Sequence, residues 1–492
     1  MINKDKAPKG LNSPLTAQSI KTGSFERRLM LTRVGLFAGT KMAGKMTASL
    51  FSSKDKRKQQ RKKILSDQAK YLVKELGKLK GSVVKIGQVM ALYGEHFLPP
   101  EVTEALHTLE ENTMALDWPI IRDVLFDQLG SEKMALLDVE PTPIGAASLG
   151  QVHRAKILST GEVICLKVQY PGVAKTVDVD LDAVAQLLRL TRVVTFGPDF
   201  NDWLEEVRTM MHREVDYILE ANTTAHFRSF LEGDENYIVP KVYTQFSTSR
   251  IIATSYEQGE NVSSQKVAKL SQTRRNKLGK LSLNLFLQEL FVWHEIQTDP
   301  NFGNYRIRVS DHDELDQIVL LDFGAVQKYP ESFINPVCSM ICAAYDEDVE
   351  SVIRGGIALK FMEEEWPRKI LIEFAEVCIA VLEPLSKATN THVVKELPDH
   401  NETHKVPKNA FNSKGEYCWK RSDLPARIAK RAAVSAISRY FKIPPKEFVF
   451  LNRKLVGVYT FISVLDGQFN GGDLLAPLMF SFKNKQQKHS SL

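Results

Sequence analysis

Apolar residues along this 492-residue chain recur first at helical spacing, then in alternation, then at helical spacing again. Leu72, Val73, Leu76, Leu79, Val83, Ile86 and Met90 fall three or four apart, which predicts one long amphipathic helix over residues 63–93. Pro99, Pro100 and Glu101 predict a short helical stretch that ends before Thr113. From Pro141 the period shortens, and residues 150–156 and 162–169 read as strands. In the second, Val163, Cys165 and Lys167 point to one face, while Ile164, Leu166 and Val168 point to the other. One long helix is predicted over 199–231, then strands at 237–242 and 250–254. Beyond Val262 the pattern is helical, interrupted by an apolar strand at 318–321 and a polar loop at 390–418.

These elements predict an α+β, two-lobed fold in five segments. Residues 1–25 form a leader rich in Lys, Ser, Pro, Gly and Asn, read as disordered. Residues 26–140 form a helical N-terminal extension, 141–260 a β-rich first lobe, 261–350 a mainly helical second lobe, and 351–492 a helical C-terminal region. No internal repeat is visible.

Composition narrows the class. Hydrophobic residues make up 43% and charged residues 25%, close to soluble globular averages, so a collagen-like, wholly disordered or polytopic membrane chain is excluded. A net charge of only +6 over this length argues against nucleic acid as a partner. Cys165, Cys338, Cys342, Cys378 and Cys418 contain no C-x-x-C pair and read as reduced thiols. The segment 29–51 is interrupted by Arg33, Lys41 and Lys45, which excludes a membrane span there, and no signal-peptide pattern is evident. Its small and apolar residues suit a helix docked on the protein itself, with a bilayer surface as the alternative. The basic run from Lys54 to Lys63 reads as the solvated start of a helix, with anionic lipid contact as its sharper alternative.

The strongest chemical signal is a pair of motifs. Asp299 is followed five positions later by Asn304, and an apolar strand then ends in Asp322, Phe323 and Gly324. An Asp can orient or accept a hydroxyl proton, and an amide oxygen plus a carboxylate suit a hard cation such as Mg2+; protein kinases use this order. Asp-Phe-Gly alone is weak evidence. Both motifs, 23 residues apart and in this order, are strong. Upstream, Lys167 lies in an apolar strand and needs a carboxylate partner if buried. Asp216 and Glu220 would share a face of the 199–231 helix, whereas Glu214 would lie far round it, so Glu214 and Glu220 cannot both face Lys167 from a straight helix. Glu205 and Glu206 read as solvated charges. The stretch Gly145, Ala146, Ala147, Ser148 precedes the lysine strand, where small residues let backbone amides approach phosphates.

The chain resembles the UbiB/AarF/ADCK (ABC1-type) atypical kinase family, linked to ubiquinone (coenzyme Q) biosynthesis. Lys85, Ile86, Gly87 and Gln88 match its K-x-G-Q motif. The 145–148 stretch resembles its alanine-rich loop, with Gly145 where many relatives carry alanine. Glu214, Asp216 and Glu220 resemble its acidic helix, and residues 297–304 and 321–324 its catalytic and metal motifs. The resemblance covers roughly residues 65–345 and implies a protein-kinase-like fold with the helical extension and tail already described. It implies that Ala146, Ala147 and Ser148 cover ATP, that Lys167 contacts its phosphates and pairs with Glu220, and that Asn304 and Asp322 hold Mg2+. Asp299 becomes the catalytic base candidate. Ser255, Tyr256 and Glu257 fall in the adenine-contacting hinge, and Lys85, Gly87 and Gln88 occupy the place of a peptide substrate, with Glu214 as partner to Lys85.

The function implied is an ATP- and magnesium-dependent atypical kinase or ATPase supporting quinone or isoprenoid-lipid metabolism at a membrane surface. Its expected partners are nucleotide, an isoprenoid or quinone-precursor lipid, the membrane periphery and quinone-biosynthesis proteins. A nucleotide-gated lipid-binding or scaffold pseudokinase is the alternative. An ordinary protein kinase is disfavoured, because no His-Arg pair precedes Asp299 and no A-P-E stretch closely follows Gly324. Asp5 and Glu26 in the leader lean the location to a bacterial cytoplasm, peripheral to the inner membrane, with the mitochondrial matrix second. His392, His400, His404 and Cys418 fit no common zinc spacing and read as a loop insertion.

Overall fold

A computed structural model describes residues 66–67, 70, 82–93, 98, 100–107, 115–191, 198–311, 315–386, 409–436 and 445–490. The predicted leader, the 29–51 segment, the basic run, most of the first half of the 63–93 helix and the three loop histidines lie outside the described residues. The chain divides into two compact units: residues 1–222 with 241–256, and residues 223–240 with 257–492.

The first unit is built on an antiparallel sheet of order β1 (Leu137–Ala146), β2 (Gly150–Ile157), β3 (Val163–Gln169) and β5 (Ile251–Ser255). Ile164, Leu166 and Val168 are fully buried and Lys167 only partly, as the alternation predicts. Strand β1 was not predicted. Its Pro141 and Pro143 argue against a central strand, and the structure puts them on an edge strand with two register shifts, where missing N–H groups are tolerated. Around the sheet lie α1 (Ser82–Tyr93), α2 (Pro100–His107), α3 (Trp118–Met134), α4 (Val173–Thr191) and α5 (Pro198–Glu214). Helix α1 packs on α4 and α5 through Val83, Ile86 and Met90, and Ser82 donates to the buried Asp180.

The predicted 199–231 helix is two helices. Helix α5 stops at Glu214 and α6 (Tyr217–Phe230) begins three residues later. Asp216 Oδ1 accepts from Leu219 N at 3.0 Å, the N-cap contact that starts a new helix. Gly150 is needed opposite this start, because a Cβ there would lie 2.8 Å from the Tyr217 hydroxyl and 2.5 Å from Val168 O.

The second unit contains a three-stranded sheet of β4 (Tyr237–Ile238), β8 (Gln317–Leu320) and β7 (Tyr305–Arg308), and a two-stranded sheet of β6 (Glu295–Gln297) and β9 (Val326–Lys328). Its helices are α7 (Gln265–Ala268), α8 (Gln272–Gln288), α9 (Glu331–Tyr345), α10 (Val349–Ala358), α11 (Arg368–Val381), α12 (Leu424–Ala436), α13 (Lys446–Val464) and α14 (Gly472–Ser490). A π turn, Glu289–Trp293, extends α8. The large core runs through Leu283, Phe286, Ile334, Leu451, Ile462 and Leu475. The end of the predicted polar loop is buried at Tyr417 and Cys418; Tyr417 and the following Trp419 belong to this core, and Trp419 Nε1 donates to Phe469 O at 3.0 Å. Among the described residues no disulfide forms and no helix is long and apolar enough to cross a membrane.

Candidate active site

In the first unit, the register sets Lys167 between Val152 on β2 and Ile252 on β5. A lysine in that position must find a carboxylate, and Lys167 Nζ lies 2.6 Å from Glu220 Oε1. Glu220 is 7% exposed at its side chain and sits in the first turn of α6, where the helix dipole favours a negative charge. Tyr217 adds its ring, with Nζ 5.3 Å from the centroid. Glu214 and Glu220 do not both face Lys167, as expected. Glu214, at the end of α5, pairs with Lys85 of α1 at 2.7 Å, and Asp216 serves as the cap of α6. Gln88 is half-buried one turn from Lys85, and Gly87 is buried.

Ala146, Ala147 and Ser148 form the β1–β2 hairpin tip, closed by Ala147 N donating to Gly150 O at 2.8 Å. Ser255 ends β5, its Oγ accepting from Lys241 N, and Tyr256 N donates to Val163 O. Glu257 opens the next segment of the second unit and pairs with Arg308 at 2.6 Å. Of the three expected hinge residues, Glu257 is therefore held by an arginine of its own unit.

In the second unit, residues 299–304 make a compact loop. Asn301 Oδ1 accepts from Gly303 N, and Asn304 N donates to Asn301 O. Asn304 Nδ2 donates to Asp299 Oδ2 at 2.9 Å, and Arg453 Nη2 of α13 donates to Asp299 Oδ1 at the same distance. Leu321 N donates to Asn304 O, which ties the two motifs through the backbone, and Asp322 Oδ1 accepts from Gly324 N at 2.9 Å. Asn304 and Asp322 line one small cavity with Gln297, Tyr305, Glu289 and Lys454. The pair fits a divalent cation: Asn304 commits its amide nitrogen to Asp299, so its oxygen is the end left for a metal. Two side chains suffice where phosphates and water complete a magnesium shell. Among the described residues no group of three His, Cys, Asp or Glu side chains is placed to hold a metal by itself.

Residues 108–355 match the family described as ABC1 atypical kinase-like domain. The chain belongs to this family. Similar proteins include zebrafish (Danio rerio) atypical kinase COQ8B, mitochondrial, 28% identical over 86% of this chain and 62% of the relative. The probable serine/threonine-protein kinase abkA of Dictyostelium discoideum is 28% identical over 85% of this chain and 70% of its own length. This chain thus spans less than two thirds of the zebrafish relative. The solved complex of Rv3197 with erythromycin from Mycobacterium tuberculosis shares the fold, at a TM-score of 0.57 and 21% identity, covering 87% of this chain and 98% of that one. The fold of this ABC1-family chain is α+β and kinase-like over most of its length.

No motif marks the region after residue 350, yet α13 of this kinase-like chain grips the 299–304 loop. Arg453 holds Asp299. Lys454, 2% exposed, lies 3.0 Å from Glu289 of the π turn, itself 1% exposed. Burial is the largest single influence and lowers the Lys454 pKa, but the Glu289 carboxylate and the Tyr305 hydroxyl together offset it and hold the ammonium above its ordinary value. Gly457 abuts Pro300, beside Asp299. The available signal was a lysine on an apolar stripe: Leu451, Lys454, Val458 and Phe461 recur at helical spacing.

Proposed function

We propose that this protein binds magnesium ATP and acts as an atypical kinase or ATPase supporting ubiquinone or isoprenoid-lipid metabolism at a membrane surface. The observation that carries the reading is the Lys167–Glu220 contact, a charge pair mid-sheet in a family described as kinase-like. Lys167 is the phosphate-contacting group, held by Glu220, while the hairpin tip at 146–148 offers small residues to the nucleotide. Asn304 and Asp322 are the metal-holding side chains; a magnesium ion supplies charge neutralisation to the transferred phosphoryl group. Asp299, fixed at both oxygens by Arg453 and Asn304, orients the hydroxyl or water that attacks. The mitochondrial description of the zebrafish relative supports a mitochondrial location over the bacterial cytoplasm.

Two measurements test this reading. Saturating ATP with magnesium raises Tm, and the rise grows with the logarithm of ligand concentration; no response in the wild-type chain defeats the nucleotide site. Asp299→Asn keeps its shape and loses the carboxylate, so ATP turnover falls by about 10²–10⁴-fold while the nucleotide-induced Tm rise persists. If a folded Asp299→Asn chain restores quinone levels in a strain lacking the protein, the nucleotide-gated lipid-binding or scaffold reading replaces the enzyme.

A further inference from the structure

The second unit buries a polar set that the proposed chemistry does not use. Glu289, Lys454 and Gln297 are 1%, 2% and 4% exposed. Replacing a buried ion pair by apolar side chains of similar volume is often neutral or stabilising, so stability alone does not account for such a pair. Its connections do point somewhere. Gln297 Oε1 accepts from Asp299 N at 2.9 Å, and Gln297 Nε2 donates to Asp322 O at 3.2 Å. One side chain therefore bridges the backbones of the catalytic candidate and the metal-holding residue. Gln297 N in turn donates to Glu289 Oε1 at 3.4 Å, and Glu289 is neutralised by Lys454. Lys454 also lies 3.5 Å from the Tyr305 hydroxyl, one residue past Asn304. Glu289 occupies a π turn, a distortion often found at functional sites.

We infer that Gln297, braced by the Glu289–Lys454 pair, is a positioning residue that fixes the separation of Asp299 from Asp322. The inference rests on the proposed function for its consequence in catalysis, but the brace itself is a property of the fold. Partners behind metal ligands of this kind typically control metal affinity or activity by about 10–100-fold.

The test uses the full-length chain with Gln297→Glu, and with the double change Glu289→Gln and Lys454→Met, which leaves no lone buried charge. Gln297→Glu keeps the acceptor for Asp299 N and puts an oxygen against Asp322 O. Two readouts are taken. Hydrogen exchange without ligand is expected to quicken in peptides covering 298–304 and 321–325, while peptides from α13 exchange as in the wild type. ATP turnover titrated with magnesium is expected to need about tenfold more metal for half its maximum, with the Tm rise at saturating magnesium and ATP unchanged. Wild-type exchange in both loop peptides of folded variants overturns the inference, whatever the turnover. Wild-type metal dependence with altered exchange overturns the catalytic part. If the unsubstituted chain shows no turnover while the variants quicken loop exchange, the proposed function fails and the brace stands.

Discussion

Gly457 offers a direct test of whether α13 sets the position of the 299–304 loop, the proposed catalytic loop. An ideal Cβ at this position would lie 2.1 Å from Pro300 Cβ, more than an ångström inside ordinary contact. Neither side yields cheaply. The Pro300 ring is rigid, and its neighbour Asp299 is held by Arg453, Asn304 and Gln297. On the helix side, the flanking Val458, Phe461 and Ile462 are buried in the core. Gly457→Ala should therefore cost about 1–3 kcal/mol, as overpacking does, and lower Tm by a few degrees. The displacement falls on the residue next to Asp299, where a misplacement of about 1 Å costs on the order of 100-fold in rate. Lys167 and Glu220 lie in the other unit, so the ATP-induced Tm rise should persist. Gly145→Ala controls for stability alone, since the residue belongs to the proposed nucleotide loop: nothing lies within 4 Å of its Cβ, and its stability should stay within about 0.5 kcal/mol of the parent. The assay is steady-state ATP turnover beside a melting curve. Wild-type kcat in a Gly457→Ala chain of native Tm would refute the reasoning.

Two further outcomes follow from the first unit. Lys167→Met strands a carboxylate that is 7% exposed and should cost about 3 kcal/mol, and Glu220→Gln should reduce the ATP-induced Tm rise about as much as Lys167→Met; Glu205, 70% exposed at its side chain, should tolerate Gln, and equal effects of the two glutamate changes would sink the assignment. His153 is fully buried, its Nδ1 bonded to Glu140 O and its Nε2 to Gln151, and burial depresses its pKa. The neutral ring's stabilisation is thus present above pH ~6.5 and lost as pH falls below it, so Tm should drop more steeply with acidification in the wild type than in His153→Gln, and parallel pH profiles would contradict this.

Strand β3 was legible because alternation is a local property: Ile164, Leu166 and Val168 are buried, and Val163, Cys165 and Lys167, alternating with them, are more exposed. The break between α5 and α6 was not, because Val215, Ile218 and Leu219 continue an apolar helical rhythm across it. Only Asp216, a good cap residue ahead of Tyr217, marked the restart. That small feature decides the charge pairing. A straight helix would turn Glu214 and Glu220 to different sides, and the two-residue interruption gives each its own lysine. Tyr417 was misread for another reason. Its neighbours in the predicted 390–418 loop are polar, and its partner Glu383, whose Oε1 accepts from the Tyr417 hydroxyl, is distant in sequence.

The same distinction explains which part of the Asp299 environment a motif can specify. Asn304 reaches Asp299 because five residues of loop bring it there, and Gln297 because it is two residues away. Arg453 comes from 154 positions further on and is placed only when α13 has packed its Leu451, Val458 and Phe461 stripe into the core. Lys454 follows Arg453 directly, so the seating that pairs Lys454 with Glu289 also aims Arg453 at Asp299. Neither cation could be turned to its partner alone without rotating the helix and exposing that stripe. Alignment of the Asp299 carboxylate, the proposed catalytic group, is thereby coupled to the folding of the C-terminal region, which joins that region to the candidate site.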